Sequence, residues 1–404
     1  MRAVYQSVPD PGKYLIRQIF HDHRDEIRSI PSLSDTQKSA ALLISMCKTE
    51  ELGFNASLCP NCGIQLHYAS CNNRNCPCCQ WPSQQGWIAQ RENEVIPEIP
   101  YYHVILTVPH DLNPLIRLNE KLLLGKLFSC SSQAVIDLSK DRHFLGAVPG
   151  IVSVLHTWRQ DLLPHYHVHM IVSGGGLNHL GQFISQNDPS RNRKKKPEYE
   201  GGFFLPMPAL MKLFRGKLMA AVKGLWKKNL LVLPKANIYT DPNGWAAFCE
   251  KLYTTKWVGN IVRTFNGNGN AIEYLARYTF RTAISNSRIM DYDGETVTFS
   301  VTNRDTRGKE SVRLPAMEFI RRFLSHVLPK GFTRVRYSGF LSNAWKTRKL
   351  QSIHRQRHLT AYVPSPLTGA SKRELFLALW NTDISICKCC GAPLIHLPRG
   401  QPIH

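Results

Sequence analysis

Acidic residues are scarce in this chain: 29 Asp and Glu stand against 51 Lys and Arg over 404 residues, a formal charge of +22. The excess runs through most of the chain instead of collecting in one tail, which points to an extended polyanion as partner, nucleic acid first among them. Long apolar runs are missing as well. No window approaches the roughly 18 apolar residues of a membrane-spanning helix, and the opening MRAVYQSVPDPGKYL has no signal-peptide core, so a soluble, intracellular, cytoplasmic protein without a membrane partner is expected. No GxxxxGK[ST] phosphate loop occurs, so work on nucleic acid that consumes ATP must come from another protein. Internal repeats are absent too, which excludes a solenoid.

What the chain has in quantity is cysteine. In a reducing compartment twelve cysteines do not read as a disulfide framework, and six of them fall between positions 59 and 79 with three more between 387 and 390. Cys59-x2-Cys62 and Cys76-x2-Cys79 are two knuckles with thirteen residues between them, near zinc-ribbon spacing, and predict a closed tetrahedral structural zinc site. Cys71 competes for a place in that set through Cys71-x4-Cys76-x2-Cys79, as do Cys78 and His67. Such a zinc is full and does no chemistry; it shapes a module whose Arg74 and Arg91 meet phosphates. Cys387-x2-Cys390 is half a site, which reads as a remnant unless His396 or His404 completes it. The run Arg191 to Lys196 reads as a solvated loop, with contact to a nucleic-acid backbone as the alternative.

Three stretches rich in β-branched and aromatic residues read as strands: YYHVILTV from 101, IVSVLHTW from 151 and HYHVHMIV from 165. The triplet Gly174-Gly175-Gly176 then demands a turn or a close backbone approach. Helical spacing is present at 112–139, 207–229 and 270–281, and around Ile16, Phe20 and Ala40 to Met46 near the start. Strands interleaved with helices make an α+β or α/β domain. Three parts are expected: a helical lead-in and zinc module over 1–98, an α+β domain over 99–340 and a basic, weakly patterned tail over 341–404.

Within His167-Val168-His169 both imidazoles lie on one strand face, while Tyr166, Val168, Met170 and Val172 lie on the other. Two neutral imidazoles hold a divalent ion once a third donor converges. Gln160 is the first choice for that donor, with His156, Asp161 and His165 as alternatives. In Glu273-Tyr274-Leu275-Ala276-Arg277-Tyr278, helical spacing sets Tyr274 and Tyr278 side by side, with Arg277 and Arg281 near. A phenolate can attack a phosphodiester and keep the bond energy in a phosphotyrosine; the plain alternative is that both phenols only pack.

The segments SCNNRNCPCCQ, LPHYHVHMIVSGGGL, EYLARYTFRTAISNSRI and LPAMEFIRRFLSHVLPKGFTRVRYSGFLSN, in this order over residues 55 to 345, closely resemble the rolling-circle insertion-sequence transposases. Those proteins carry an N-terminal zinc-binding domain, an HUH nuclease domain and a paired-tyrosine motif. The resemblance implies an antiparallel palm-like sheet flanked by helices, with the histidines on a central strand and the tyrosine helix across the metal face. It implies a catalytic Mg2+ or Mn2+ held by His167 and His169, and covalent capture of a DNA 5′ end by Tyr274 or Tyr278 during nicking and rejoining of single-stranded DNA. The implied partners are single-stranded element ends, target DNA, and a host helicase with the replication machinery, which places the protein at a bacterial nucleoid. A plasmid replication initiator or relaxase of the same chemistry is the neighbouring reading; a DNA-binding zinc protein with a decayed nuclease is another. A zinc hydrolase using only the His pair is a third. Phe280 stands where the family has His, and GNIVRTFNGNGN lacks the family's Pro-rich form, which puts DNA contacts in doubt and leaves the core chemistry intact.

Overall fold

The computed structural model describes residues 4–5, 14–186, 205–266, 279, 281–303, 306 and 308–397. The expected functional residues Tyr274, Arg277 and Tyr278 lie outside the described residues, as do Phe280, His404 and the basic run at 191–196.

The described chain is a mixture of helices and mainly antiparallel sheets. Its helices are α1 (Leu15–Asp22), α2 (Arg24–Ser29), α3 (Asp35–Ser45), α4 (Gln80–Ala89), α5 (Asn113–Leu118), α6 (Glu120–Lys140), α7 (Met207–Lys227), α8 (Asn237–Thr240), α9 (Pro242–Thr254), α10 (Ala316–Leu324), α11 (Lys346–Gln356) and α12 (Lys372–Trp380). The strands are β1 (Val4–Tyr5), β2 (Phe54–Cys59), β3 (Gly63–Tyr68), β4 (Pro100–Thr107), β5 (Val148–Trp158), β6 (Pro164–Leu177), β7 (Phe183–Ser185), β8 (Gly259–Asn266), β9 (Ile289–Tyr292), β10 (Thr296–Thr302), β11 (Lys309–Pro315), β12 (Val335–Gly339) and β13 (Ile395–His396). None of the described helices is long and apolar enough to cross a membrane.

The largest sheet has the order β12-β5-β6-β4-β8, with β7 on β6, and every pairing in it is antiparallel. The three strands expected from β-branched runs are its three inner ones. One face carries Tyr102, Val104 and Leu106, Ile151 and Leu155, and Tyr166, Val168, Met170 and Val172, all buried in one core with α6 and α7. Those helices supply it at helical spacing: Leu123, Leu127 and Phe128 from α6, Leu210, Phe214 and Leu218 from α7. Truncating a residue such as Phe214 to Ala costs about 3–5 kcal/mol. The single helix expected over 112–139 is broken at Asn119. That buried side chain donates to the Leu115 and Val232 carbonyls and accepts from the Val232 amide, fixing the break against a distant loop.

The glycine triplet makes no turn. β6 runs straight through it, and its need for glycine is close approach: a Cβ on Gly174 would lie 2.9 Å from the Pro100 carbonyl oxygen, and one on Gly176 2.4 Å from that of Val148.

Around this sheet the chain closes on itself. A second core joins Ile16, Ile19, Phe20 and Ile44 of the N-terminal helices to Val297, Phe299, Phe319 and Phe323 of β10 and α10, so the helical lead-in does not stand alone. The stretch beyond 341, expected to be a weakly patterned tail, is folded. Leu350 and Ile353 of α11, one helical turn apart, bury against Phe340 and Val152 under the outer edge of the large sheet. β13 then returns to the N-terminal module and pairs with β2, Ile395 opposite Leu58 and His396 opposite Ser57.

Candidate functional site

The face of the large sheet opposite its main core carries the histidines. β5 and β6 pair His156 with His167, and β6 and β4 pair Ile105 with His169. Strand alternation therefore puts His156, His167 and His169 together, and one ring nitrogen from each lies within 4.8 Å of the others. His156 and His169 are buried while His167 is half-buried, so the group is enclosed on one side and reachable on the other.

The outer nitrogens are held in place. His167 Nδ1 lies 2.8 Å from the His165 carbonyl oxygen, to which it donates, which leaves Nε2 as the donor atom for a metal. His169 Nδ1 lies 2.9 Å from His103 Nε2, and the two rings stack with centroids 5.1 Å apart. His156 stacks on Trp158 at 4.7 Å. Burial, and then the neighbouring His167, hold His103 down to about 4; burial first, then His156, His167, His103 and Arg281, hold His169 far below the ordinary imidazole range. The His103 and His169 rings are therefore neutral at working pH, the state in which an imidazole can ligate.

Gln160, the expected third donor, is spent elsewhere. Its side-chain oxygen accepts the Thr302 amide at 2.6 Å, so it serves the β10 edge, and His156 takes the third position in the cluster. Asp161 is likewise engaged, by the Arg159 guanidinium and the Leu163 amide. His156 was within reach of sequence reasoning: it is the β5 residue that an antiparallel hairpin places opposite His167.

The cysteines form two clusters, not one. Cys47, Cys71, Cys76 and Cys79 make the first; Cys59, Cys62, Cys387 and Cys390 make the second. The expected set of Cys59, Cys62, Cys76 and Cys79 is thus divided: the first knuckle forms the turn of the β2–β3 hairpin, and β3 then runs away from it before the second knuckle begins. Cys71 sits with Cys76 and Cys79, as its spacing suggested. Cys47, at the end of α3, was missed, since no second cysteine marks it as a knuckle. In this cluster the Cys47 and Cys79 sulphurs are 3.5 Å apart and those of Cys71 and Cys79 3.7 Å. A tetrahedron with Zn–S of about 2.3 Å has edges of about 3.8 Å. Lys48 and Asn72, each following a cysteine, take positive φ, and the Asn73 amide donates to Cys71 Sγ at 3.5 Å, as the tight turn of a metal knuckle requires. Cys78 turns aside to accept from Asn286, and His67 is exposed in neither cluster.

Two arginines expected at phosphates are structural. Arg74 donates to the carbonyls of Phe332, Leu328 and Pro329, closing the turn after α10. Arg91 donates to the Tyr337 hydroxyl at 2.7 Å and stacks over Trp87. Arg281, by contrast, is exposed, and its charge acts on His169.

Together these features define a module carrying a thiol cluster with metal-ligand spacing, beside an antiparallel sheet that holds an imidazole cluster on one face. Comparison with known proteins gives the family. Residues 150–349 match the model described as "Putative transposase", and residues 19–108 match the "Transposase zinc-binding domain". Similar proteins include "Putative transposase y4qJ" of Sinorhizobium fredii (strain NBRC 101917 / NGR234), 32% identical over 89% of this chain and 88% of the relative. The "Transposase for insertion sequence element IS801" of Pseudomonas savastanoi pv. phaseolicola is 26% identical over 90% of this chain and 84% of that protein. The chain belongs to this family of insertion-sequence transposases with a zinc-binding domain. No solved structure matches it. The zinc-binding match includes all four thiols of the first cluster but only Cys59 and Cys62 of the second.

Proposed function

We propose that this transposase acts by rolling-circle chemistry, nicking and rejoining single-stranded DNA through a covalent 5′-phosphotyrosine on Tyr274 or Tyr278, within an HUH-type palm-like nuclease domain. The observation that carries this reading is the group of three imidazoles on one sheet face, with the Arg281 charge acting on His169. Tyr278 stands three residues before Arg281 in the sequence, a span of at most about 11 Å of extended chain.

His156, His167 and His169 would hold the divalent ion. With three nitrogen donors and no carboxylate in the group, manganese suits it better than magnesium, which prefers oxygen. Such an ion, when bound, polarises the scissile phosphate and offsets the charge that builds on its oxygens. The protein's own groups do the rest. The tyrosine oxygen attacks phosphorus and the bond to the 3′ oxygen breaks; the phenol gives up its proton and the departing 3′ oxygen gains one. Arg281, with Arg277, steadies the phosphate by charge. In the reverse step a DNA 3′ hydroxyl attacks the phosphotyrosine and releases the phenol, so no ATP is consumed. Element ends and target DNA are the substrates, and a host helicase or replication fork supplies the single strand. A replication initiator or relaxase would use the same groups, but the transposase relatives cover nearly the whole chain and favour transposition.

The test is a denaturing gel of the purified protein with manganese and labelled single-stranded oligonucleotides tiled across the element's ends. A protein-DNA adduct that vanishes in Tyr274→Phe, Tyr278→Phe and in His169→Ala is expected. Cleavage that survives loss of both phenols would move the chemistry to metal-activated water, and binding without cleavage under any metal would overturn the enzymatic reading.

A further inference from the structure

We propose that Cys59, Cys62, Cys387 and Cys390 hold a second structural zinc ion, which fastens the C-terminal segment to the N-terminal module. The four sulphurs lie within 4.8 Å of one another, and Cys59 and Cys390 are 3.4 Å apart, near a tetrahedral edge and far beyond the roughly 2.05 Å of a disulfide. Both halves share one local design. Cys59-Pro-Asn-Cys62-Gly63 and Cys387-Lys-Cys-Cys390-Gly391 are each a C-x2-C-G knuckle, and both glycines take positive φ, 85° and 74°, which a side chain would resist.

Each knuckle also turns amides toward sulphur. The Cys62 amide donates to Cys59 Sγ at 3.4 Å, and the amides of Cys389 and Cys390 donate to Cys387 Sγ. Gln65 Nε2 donates to Cys387 Sγ at 3.0 Å in a buried position, a contact suited to a thiolate. The backbone delivers the second knuckle to the first: β13 pairs with β2, and the Ile386–Pro393 bridge closes the loop that carries Cys387 and Cys390. His396, once a candidate to complete the half-site, turns instead to the Ser57 hydroxyl at 3.0 Å. On binding, the four thiols lose their protons to solvent and four Zn–S bonds form, with no change of oxidation state.

Zinc would be counted by plasma mass spectrometry on full-length protein carrying His167→Ala and His169→Ala, so that the histidine face contributes none. The expected count is about two per chain, falling to about one in the added Cys387→Ser, Cys390→Ser variant, in which trypsin cuts after Lys388 at least tenfold faster. Should that variant fail to fold, Cys390→His, which keeps a zinc donor, is expected to retain both ions, and the count in the parent still decides. A parent holding one zinc, an unchanged count after loss of Cys387 and Cys390, or an intact mass lowered by two hydrogens that marks a disulfide would each overturn the assignment.

Discussion

Four sulphurs enclose each thiol cluster, whereas the histidine face offers three nitrogens and leaves His167 half-exposed. The contrast separates holding from acting. Closed tetrahedral sets build a fold and bind nothing further, while an incomplete set keeps positions for a phosphate oxygen. The supports differ as well. Within each knuckle the sulphurs are oriented by nearby backbone amides, even though each cluster draws a distant partner, Cys47 in one and Cys387 with Cys390 in the other. Imidazoles are oriented by neighbours on three strands, so their placement needs the whole sheet.

This contrast can be broken most forcefully at Cys76, wholly buried in the first thiol cluster. Cys76→Ser is expected to unfold the N-terminal module, since structural zinc supplies about 10–16 kcal/mol of folding free energy at neutral pH; limited proteolysis from the N-terminal side and loss of bound zinc check this. His156→Ala comes next: adduct formation with manganese is expected to fall at least a hundredfold while the thermal midpoint shifts by only a few degrees, as about 1–2 kcal/mol of stability would give in a chain this size. An enzyme indifferent to His156 would remove it from the proposed metal set.

His103→Ala sharpens the comparison without touching a proposed ligand. Removing the partner of His169 Nδ1 is expected to raise the manganese concentration for half-maximal adduct by about 10–100-fold, with the maximal rate at saturating metal largely kept. A lowered maximum at unchanged metal dependence would mean that His103 does not act through His169. Gln160→Ala has the smallest expected effect: about 1 kcal/mol of stability from the lost bond to Thr302 and less than a threefold change in adduct, measured by denaturant melts and the same gel.

Legibility in the sequence followed locality. The three inner strands, the one-face placement of His167 and His169 and the α7 stretch were readable because each depends on periodicity within a dozen residues. Cys71 with Cys76 and Cys79 was readable for the same reason. Gln160 was chosen for its proximity in sequence to the His pair, and no local pattern shows that its oxygen accepts the Thr302 amide from a second sheet. Arg74 and Arg91 looked like free cations, yet a guanidinium spent on carbonyls or on a phenol is indistinguishable in sequence from one facing DNA. The pairing of Cys59 with Cys390 spans 331 residues. The repeated C-x2-C-G was its one local trace.

That span also orders events at the ribosome. Cys47, Cys71, Cys76 and Cys79 have all been synthesised within the first fifth of the chain, but Cys59 and Cys62 wait for Cys387 and Cys390. At about 5–20 residues per second the wait is on the order of 20–60 s, during which the edge of β2 that will receive β13 has no strand on it. A chain that stopped before β13 would leave that edge uncovered, so this pairing joins the N-terminal module only after the intervening sheet has been made.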